Sequence, residues 1–184
     1  MSKTMELEGL TYEVSYRNIK YPRLEFKTGK LKLILPLGYD HTTLLRKHKA
    51  WITQKSTFIK ECLSASIDKE LVKRSDSEFK ELVHRLANTA ASTLGVTINK
   101  IYFRTMRTKW ASCSHRKNLT INSLMRYLPD YLIAYIIFHE IAHVIEPRHN
   151  ANFWAIISTK FRNYKTLEKE LFIYWFLVWD KISG

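Results

Sequence analysis

Apolar and polar residues alternate in three short runs near the N-terminus, Tyr12-Val14-Tyr16, Leu24-Phe26 and Leu31-Leu33-Leu35. This is the period of half-buried strands. Thr28-Gly29, between the last two runs, reads as a hairpin turn. After Pro36 and Gly38 the period lengthens. Leu44, Leu45, His48, Trp51, Ile52, Lys55, Phe58, Ile59 and Leu63 recur at helical spacing and predict one long amphipathic helix. Ser75 with Glu78 forms a capping box that opens a second helix, whose stripe is Phe79, Leu82, Val83, Leu86, Ala90 and Leu94 and whose stop is Gly95. Val96 to Phe103 and Leu119 to Asn122 read as strands, separated by a polar, basic stretch from Arg104 to Asn118. Pro129-Asp130 starts a mostly buried helix over Tyr131 to Glu146, and two further helical segments follow, Ala151 to Phe161 and Leu167 to Lys181.

This order of elements is α+β. It divides into a small antiparallel β module with its long helix, residues 1–64, and a helix-sheet core, residues 65–184. The length allows one domain with an appended module and excludes a large multidomain enzyme. With 46% hydrophobic residues and few Gly and Pro, the chain has the material for a packed core, and therefore for a defined site.

Two cysteines, Cys62 and Cys113, are too few for a disulfide framework, and the first residues lack the apolar stretch of a secretory signal. The expectation is reduced thiols in a cytoplasmic protein. The longest apolar run, Leu171 to Trp179, falls far short of the roughly 20 residues that span a bilayer, so it predicts a buried C-terminal helix and no membrane partner. The formal net charge is +13, and from Leu82 to Pro129 no Asp or Glu occurs while Arg85, Lys100, Arg104, Arg107, Lys109, Arg116, Lys117 and Arg126 do. Such a surface favours anionic partners, a nucleotide or nucleic acid among them.

The chemistry lies just beyond that stretch, in His139-Glu140-Ile141-Ala142-His143. Two His four residues apart share one helix face, roughly 5 to 6 Å apart at Cβ, close enough to hold one ion. Zinc suits imidazole ligands. Glu140, rotated about 100° around the helix, would flank the ion as a general base rather than coordinate it. The surrounding residues are apolar, where two His and a Glu are costly without partners.

A catalytic zinc needs a third protein ligand. Glu146 would share the ligand face if the helix continued, but Pro147 biases it away from helical geometry. A chain turning at Pro147 can bring His149 back over the ion, at the ten-residue offset from His139 seen in H-E-x-x-H-x-x-G-x-x-H. His149 is therefore favoured, with Glu146 as its rival. A hydrogen-bonded core histidine explains one such ring more readily than three with a Glu beside them.

With these residues in view the chain resembles the YgjP-like metallopeptidase family, related in motif to SprT-like proteases. The marks are Tyr16-Arg17, Pro36, Lys49-Ala50-Trp51-Ile52, Lys109-Trp110-Ala111-Ser112-Cys113-Ser114, Leu119-Thr120-Ile121-Asn122, Pro129, and the run from His139 to Phe153-Trp154. Ala111 departs from the pattern, where the family has Gly. The resemblance implies a zincin-like helix-sheet core with an active-site helix, and one zinc ion held by His139, His143 and His149 with Glu140 catalytic. It also implies hydrolysis of a peptide or protein substrate.

Two other functions compete: a metal-dependent nucleotide or phosphoanhydride hydrolase using the basic stretch, and a nucleic-acid-associated protease. Among lesser candidates, Cys113 with His115 fits a structural role better than a thiol nucleophile. Trp110 is expected beneath the site. Leu119 to Asn122 is a candidate edge strand for an extended peptide, and Arg104, Arg107 and Arg126 are candidates for stabilising developing negative charge. His41, His48 and His84 receive no role.

Overall fold

A computed structural model describes residues 2–7, 10–27 and 30–182. The Thr28-Gly29 turn lies outside them. The chain divides into two compact units, residues 1–67 and 68–184.

In the first unit β1 (Ser2–Leu7), β2 (Leu10–Tyr16), β3 (Arg23–Lys27) and β4 (Lys30–Leu35) form one sheet in the order β1-β2-β4-β3. β1–β2 and β3–β4 are antiparallel, but the central pair β2–β4 is parallel, so the sheet is mixed rather than purely antiparallel. Alternation fixes which side chains share a face and leaves strand direction open. Here Tyr12, Val14 and Tyr16 stand opposite Leu31, Leu33 and Leu35. β1, with Lys3, Thr4 and Glu6 exposed, is an edge strand that carries little apolar pattern.

The expected long helix is two, α1 (His41–Lys47) and α2 (Lys49–Ser66), broken at His48, whose φ −110° and ψ 17° are not helical. The Asp40 carboxylate caps α1 by accepting the Thr42 and Thr43 N–H groups at 3.0 and 3.1 Å. Tyr12, Val14, Leu31, Leu33 and Leu35 bury one sheet face on Leu44, Leu45 and Ile52.

The second unit begins with α3 (Asp76–Leu94). Ser75 and Glu78 exchange both capping-box hydrogen bonds, and Gly95 ends the helix in the left-handed region at φ 64°. β5 (Ile101–Arg104), β6 (Ala111–Cys113) and β7 (Leu119–Asn122) then form a sheet in the order β5-β7-β6, with β5–β7 parallel and β6–β7 antiparallel. β7 is thus the central strand, so of the two readings open to Leu119 to Asn122 it is the ordinary sheet strand and not the edge candidate. The edges are β5 and β6, and β6 lies inside the stretch that reads as a polar loop, because three residues are too short to display an alternation.

α4 (Asp130–Ala142) is apolar almost all round, as befits a helix surrounded by protein. Its Ile133, Ile137 and Ile141 share a core with Phe79 and Val83 of α3 and with Leu119 and Ile121 of β7. The side chain of Arg74 is almost wholly enclosed and ties the approach to α3 onto the start of α4. It donates to the carbonyls of Arg126 and Leu128 at 2.7 and 2.9 Å and pairs with Asp130. α5 (Ala151–Lys160) and α6 (Tyr164–Ile182) complete the unit, with Leu167, Tyr174 and Leu177 of α6 in the same core and Phe172 exposed. The architecture is α+β, with the motif-bearing helix laid against a small sheet. No helix among the described residues is long and apolar enough to cross a membrane.

Candidate metal centre

α4 ends at Ala142, four residues short of the expected Glu146. The last turn tightens, with Val144 N–H donating to Ile141 O and Ile145 N–H to Ala142 O, each at 3.0 Å, and Pro147 keeps Glu146, the residue before it, from continuing the helix. His143 itself keeps helical dihedrals (φ −64°, ψ −15°), so its four-residue relation to His139 survives. The chain then reverses through Pro147 and Arg148, and Asn150 caps α5 by accepting the Phe153 N–H at 3.0 Å.

That reversal brings His149 back over α4. One ring nitrogen from each of His139, His143 and His149 lies within 4.8 Å of the other two. Ring centroids stand 5.1 Å apart for His139–His143, 5.0 Å for His139–His149 and 4.7 Å for His143–His149. Glu146 is not part of this group; its carboxylate accepts the Arg148 N–H at 3.1 Å.

The cluster has an aromatic floor. Phe153, fully buried, stacks on His143 at 4.5 Å and 21° and meets His139 and His149 edge-on. Trp154 stacks on His149 and Tyr164 stacks behind Trp154. The consecutive Phe153-Trp154 thus walls two sides of the triad, and this pair was visible in sequence only as a family mark.

The donor set suits a divalent cation. Burial first, then the neighbouring imidazoles of His143 and His149, lower the His139 pKa to about 3, so its ring is neutral and has a lone pair to give. His143 Nδ1 donates to the Glu146 carbonyl at 3.1 Å, which leaves its Nε2 free to coordinate. The Nε2 atoms of His139 and His149 are 3.0 Å apart. Two ligands of one tetrahedral zinc, each 2.0–2.1 Å from it, would stand about 3.3 Å apart, so a few tenths of an ångström convert one arrangement to the other. His139 Nδ1 is buried without a hydrogen-bond partner and stands 3.7 Å from Glu168 Oε1.

Glu140 points toward the sheet edge. Its Oε2 accepts the Cys113 N–H of β6 at 2.9 Å. Burial raises its pKa, opposed by that hydrogen bond and by the charges of Lys109 and His149. Of the basic stretch, Lys109 is therefore the cation whose field reaches Glu140. Arg126 is occupied elsewhere, its guanidinium 2.8 Å from the Tyr127 hydroxyl and over that ring, while Arg104 and Arg107 are exposed. Cys113 has its thiol pushed up to about 11 by burial and by Glu140, the opposite of what a nucleophile requires. Trp110 packs on α6, edge-on to Trp175 at 4.8 Å with its Nε1–H toward the Leu171 carbonyl.

The sequence gives no sign of the Cys113 amide, Tyr135 or Glu168 at the site, and shows Lys109 only as one base of the basic stretch and part of a family mark. The Cys113 amide and Lys109 follow only from the pairing of β6, and Tyr135 and Glu168 from the packing of α6 near α4.

The three histidines form a group that could hold a metal ion, and comparison with known proteins defines the class. The model of the YgjP-like family, described as a metallopeptidase domain, matches residues 60–173, and the chain belongs to that family. The match includes the His139–Trp154 segment, whereas the marks at Tyr16-Arg17, Pro36 and Lys49–Ile52 precede it. Two solved structures are also similar. The metallopeptidase zymogen of Pyrococcus abyssi abylysin is 22% identical, covering 55% of this chain and 95% of that one with a TM-score of 0.45. The metallopeptidase zymogen of Methanocaldococcus jannaschii jannalysin is 28% identical, covering 50% and 93% with a TM-score of 0.44. No curated protein matches.

Proposed function

We propose that the chain is a zinc-dependent peptidase in which His139, His143 and His149 hold the ion and Glu140 is the general base. The reading rests on one observation, three imidazole nitrogens within 4.8 Å of one another, with Glu140 next to His139 on α4. Zinc bound there would act as a Lewis acid, polarising a peptide carbonyl and acidifying water.

The protein's own groups do the rest. The Glu140 carboxylate is held by the Cys113 amide through one oxygen, which leaves the other to take a proton from water and return it to the leaving amine. Its raised pKa brings it nearer the range in which both transfers are efficient. β6 offers the substrate a surface. Asn122 N–H bonds Trp110 O, and Ser114 N–H bonds Asn118 O, so residues 110, 112 and 114 face β7 while the backbone groups of Ala111 and Cys113 face outward; Glu140 takes the Cys113 N–H, which leaves the Ala111 N–H and carbonyl and the Cys113 carbonyl for pairing. An extended peptide can add at that edge by main-chain pairing, beside Glu140.

Glu140→Gln should lower peptide turnover by roughly 100- to 10,000-fold with zinc still bound. A purified variant as fast as the wild-type chain refutes the role of Glu140. Casein and short peptides assayed beside nucleoside triphosphates decide the substrate class. Phosphate release that needs His139, without peptide cleavage, would overturn the peptidase reading.

A further inference from the structure

We propose that Glu168 is a positioning residue for His139, accepting the Nδ1–H of that imidazole when its Nε2 is given to a cation, with the Tyr135 hydroxyl holding the carboxylate in place. The inference rests on the metal-binding reading above and extends it to α6.

The argument begins with protons. The 3.0 Å contact between the Nε2 atoms of His139 and His149 needs one of them to donate and the other to accept. A shared cation requires a lone pair from both, so the single proton of neutral His139 must then reside on Nδ1. That atom is buried and has no hydrogen-bond partner within reach among the described residues. A buried N–H left unpaired is costly, and a ligand histidine in general donates its second nitrogen to a carboxylate or carbonyl. His143 meets that requirement through the Glu146 carbonyl. For His139 the acceptor facing Nδ1 is Glu168 Oε1, 3.7 Å away, beyond a hydrogen bond but within one small side-chain movement of it.

The surroundings of Glu168 suit this movement. Its side chain is 38% exposed and so has room to turn, whereas that of His139 is 14% exposed and fixed by the rings around it. The same Oε1 accepts the Tyr135 hydroxyl at 2.5 Å. Tyr135 is fully buried, one helical turn before His139 on α4, with its ring 5.9 Å from the imidazole. The carboxylate therefore joins two residues of one α4 face to α6. Glu170, two residues on, is differently engaged, with Lys69 and Tyr131 both 2.7 Å from its Oε1.

The test uses the full chain as wild type, Glu168→Ala, Glu168→Gln, Tyr135→Phe and His143→Ala, each titrated with zinc in competition with a chromophoric chelator. Melting of the zinc-free forms is followed in parallel. Glu168→Ala should bind zinc about 10- to 100-fold more weakly. Glu168→Gln, which keeps an oxygen acceptor without the charge, should lose less, and Tyr135→Phe should fall between wild type and Glu168→Ala. In the zinc-loaded wild type the His139 Nδ1 proton should be resolved by ¹⁵N-edited NMR and shifted downfield, and in Glu168→Ala it should lose that shift.

Wild-type affinity, within about twofold, in folded Glu168→Ala or, should that variant not fold, in both Glu168→Gln and Tyr135→Phe overturns the proposal. A failure of the metal-binding reading looks different: His143→Ala would then bind zinc as tightly as the wild type.

Discussion

Asn122 allows a worked prediction, because its side chain is fully buried and every polar atom in it is used. Its Oδ1 accepts the N–H groups of Met106 and Leu124 at 3.2 and 3.1 Å, and its Nδ2 donates to the carbonyls of Met106 and Lys109 at 2.8 and 2.9 Å. These bonds pin the 105–110 loop, and with it the start of β6, to the end of β7. Asn122→Ala strands two amides and two carbonyls at once. A net value of about 1 kcal/mol per hydrogen bond sums to about 4 kcal/mol, and partial relaxation of the stranded groups toward water leaves about 3 kcal/mol as the expected loss. For a chain of this size that lowers the melting temperature by about 9 °C. Urea unfolding followed by tryptophan fluorescence reads the change directly, because Trp110, Trp154, Trp175 and Trp179 all lie in the affected unit. Asn122→Asp keeps the acceptor but turns an oxygen toward two carbonyls, and should be no more stable than Asn122→Ala at neutral pH. A loss below about 1 kcal/mol for Asn122→Ala would refute the reasoning, since the four bonds would then be worth less than one.

Phe153→Ala should cost about 3–5 kcal/mol by removing a buried ring, and should weaken zinc binding by taking away the floor against which His139, His143 and His149 rest; Phe153→Leu should cost much less on both counts. Equal effects of the two substitutions on unfolding and on chelator competition would contradict the assignment. Glu78 has its carboxyl pKa lowered by hydrogen bonds from the Ser75 hydroxyl and amide. A depressed folded-state pKa stabilises fully above the ordinary carboxylate range and is lost as pH falls through the folded value, so Glu78→Gln should flatten the acid limb of the stability–pH curve. An unchanged slope between the variant and the wild type sinks that idea.

Features decided within a few residues were legible in the sequence. Ser75, Glu78 and Gly95 mark the ends of α3 because capping is a local bargain between side chain and backbone. His139, Glu140 and His143 stand out because a helix fixes the relation between residues one and four apart. Features decided by pairing or packing were not. β6 hides in a basic stretch because its partner β7 is what makes it a strand. The parallel β2–β4 pairing has the same apolar alternation an antiparallel pair would have. His48 interrupts a helical pattern that continues on both sides, so periodicity alone carried one helix across two. Glu168 lies 29 positions beyond His139 with no spacing rule to connect them, and only the packing of α6 brings its carboxylate to that ring. The end of α4 fell between these cases: Pro147 announced a break, but the tightening back to Ala142 depended on how the turn closes.

The most direct measurement is the metal content and zinc affinity of the purified chain beside His149→Ala and Glu146→Ala. The three-imidazole account predicts one zinc per chain in the wild type and in Glu146→Ala, and binding weakened by about 100-fold or more in His149→Ala, which leaves only two protein ligands. Zinc retained at wild-type affinity by His149→Ala, or lost from Glu146→Ala instead, would contradict it.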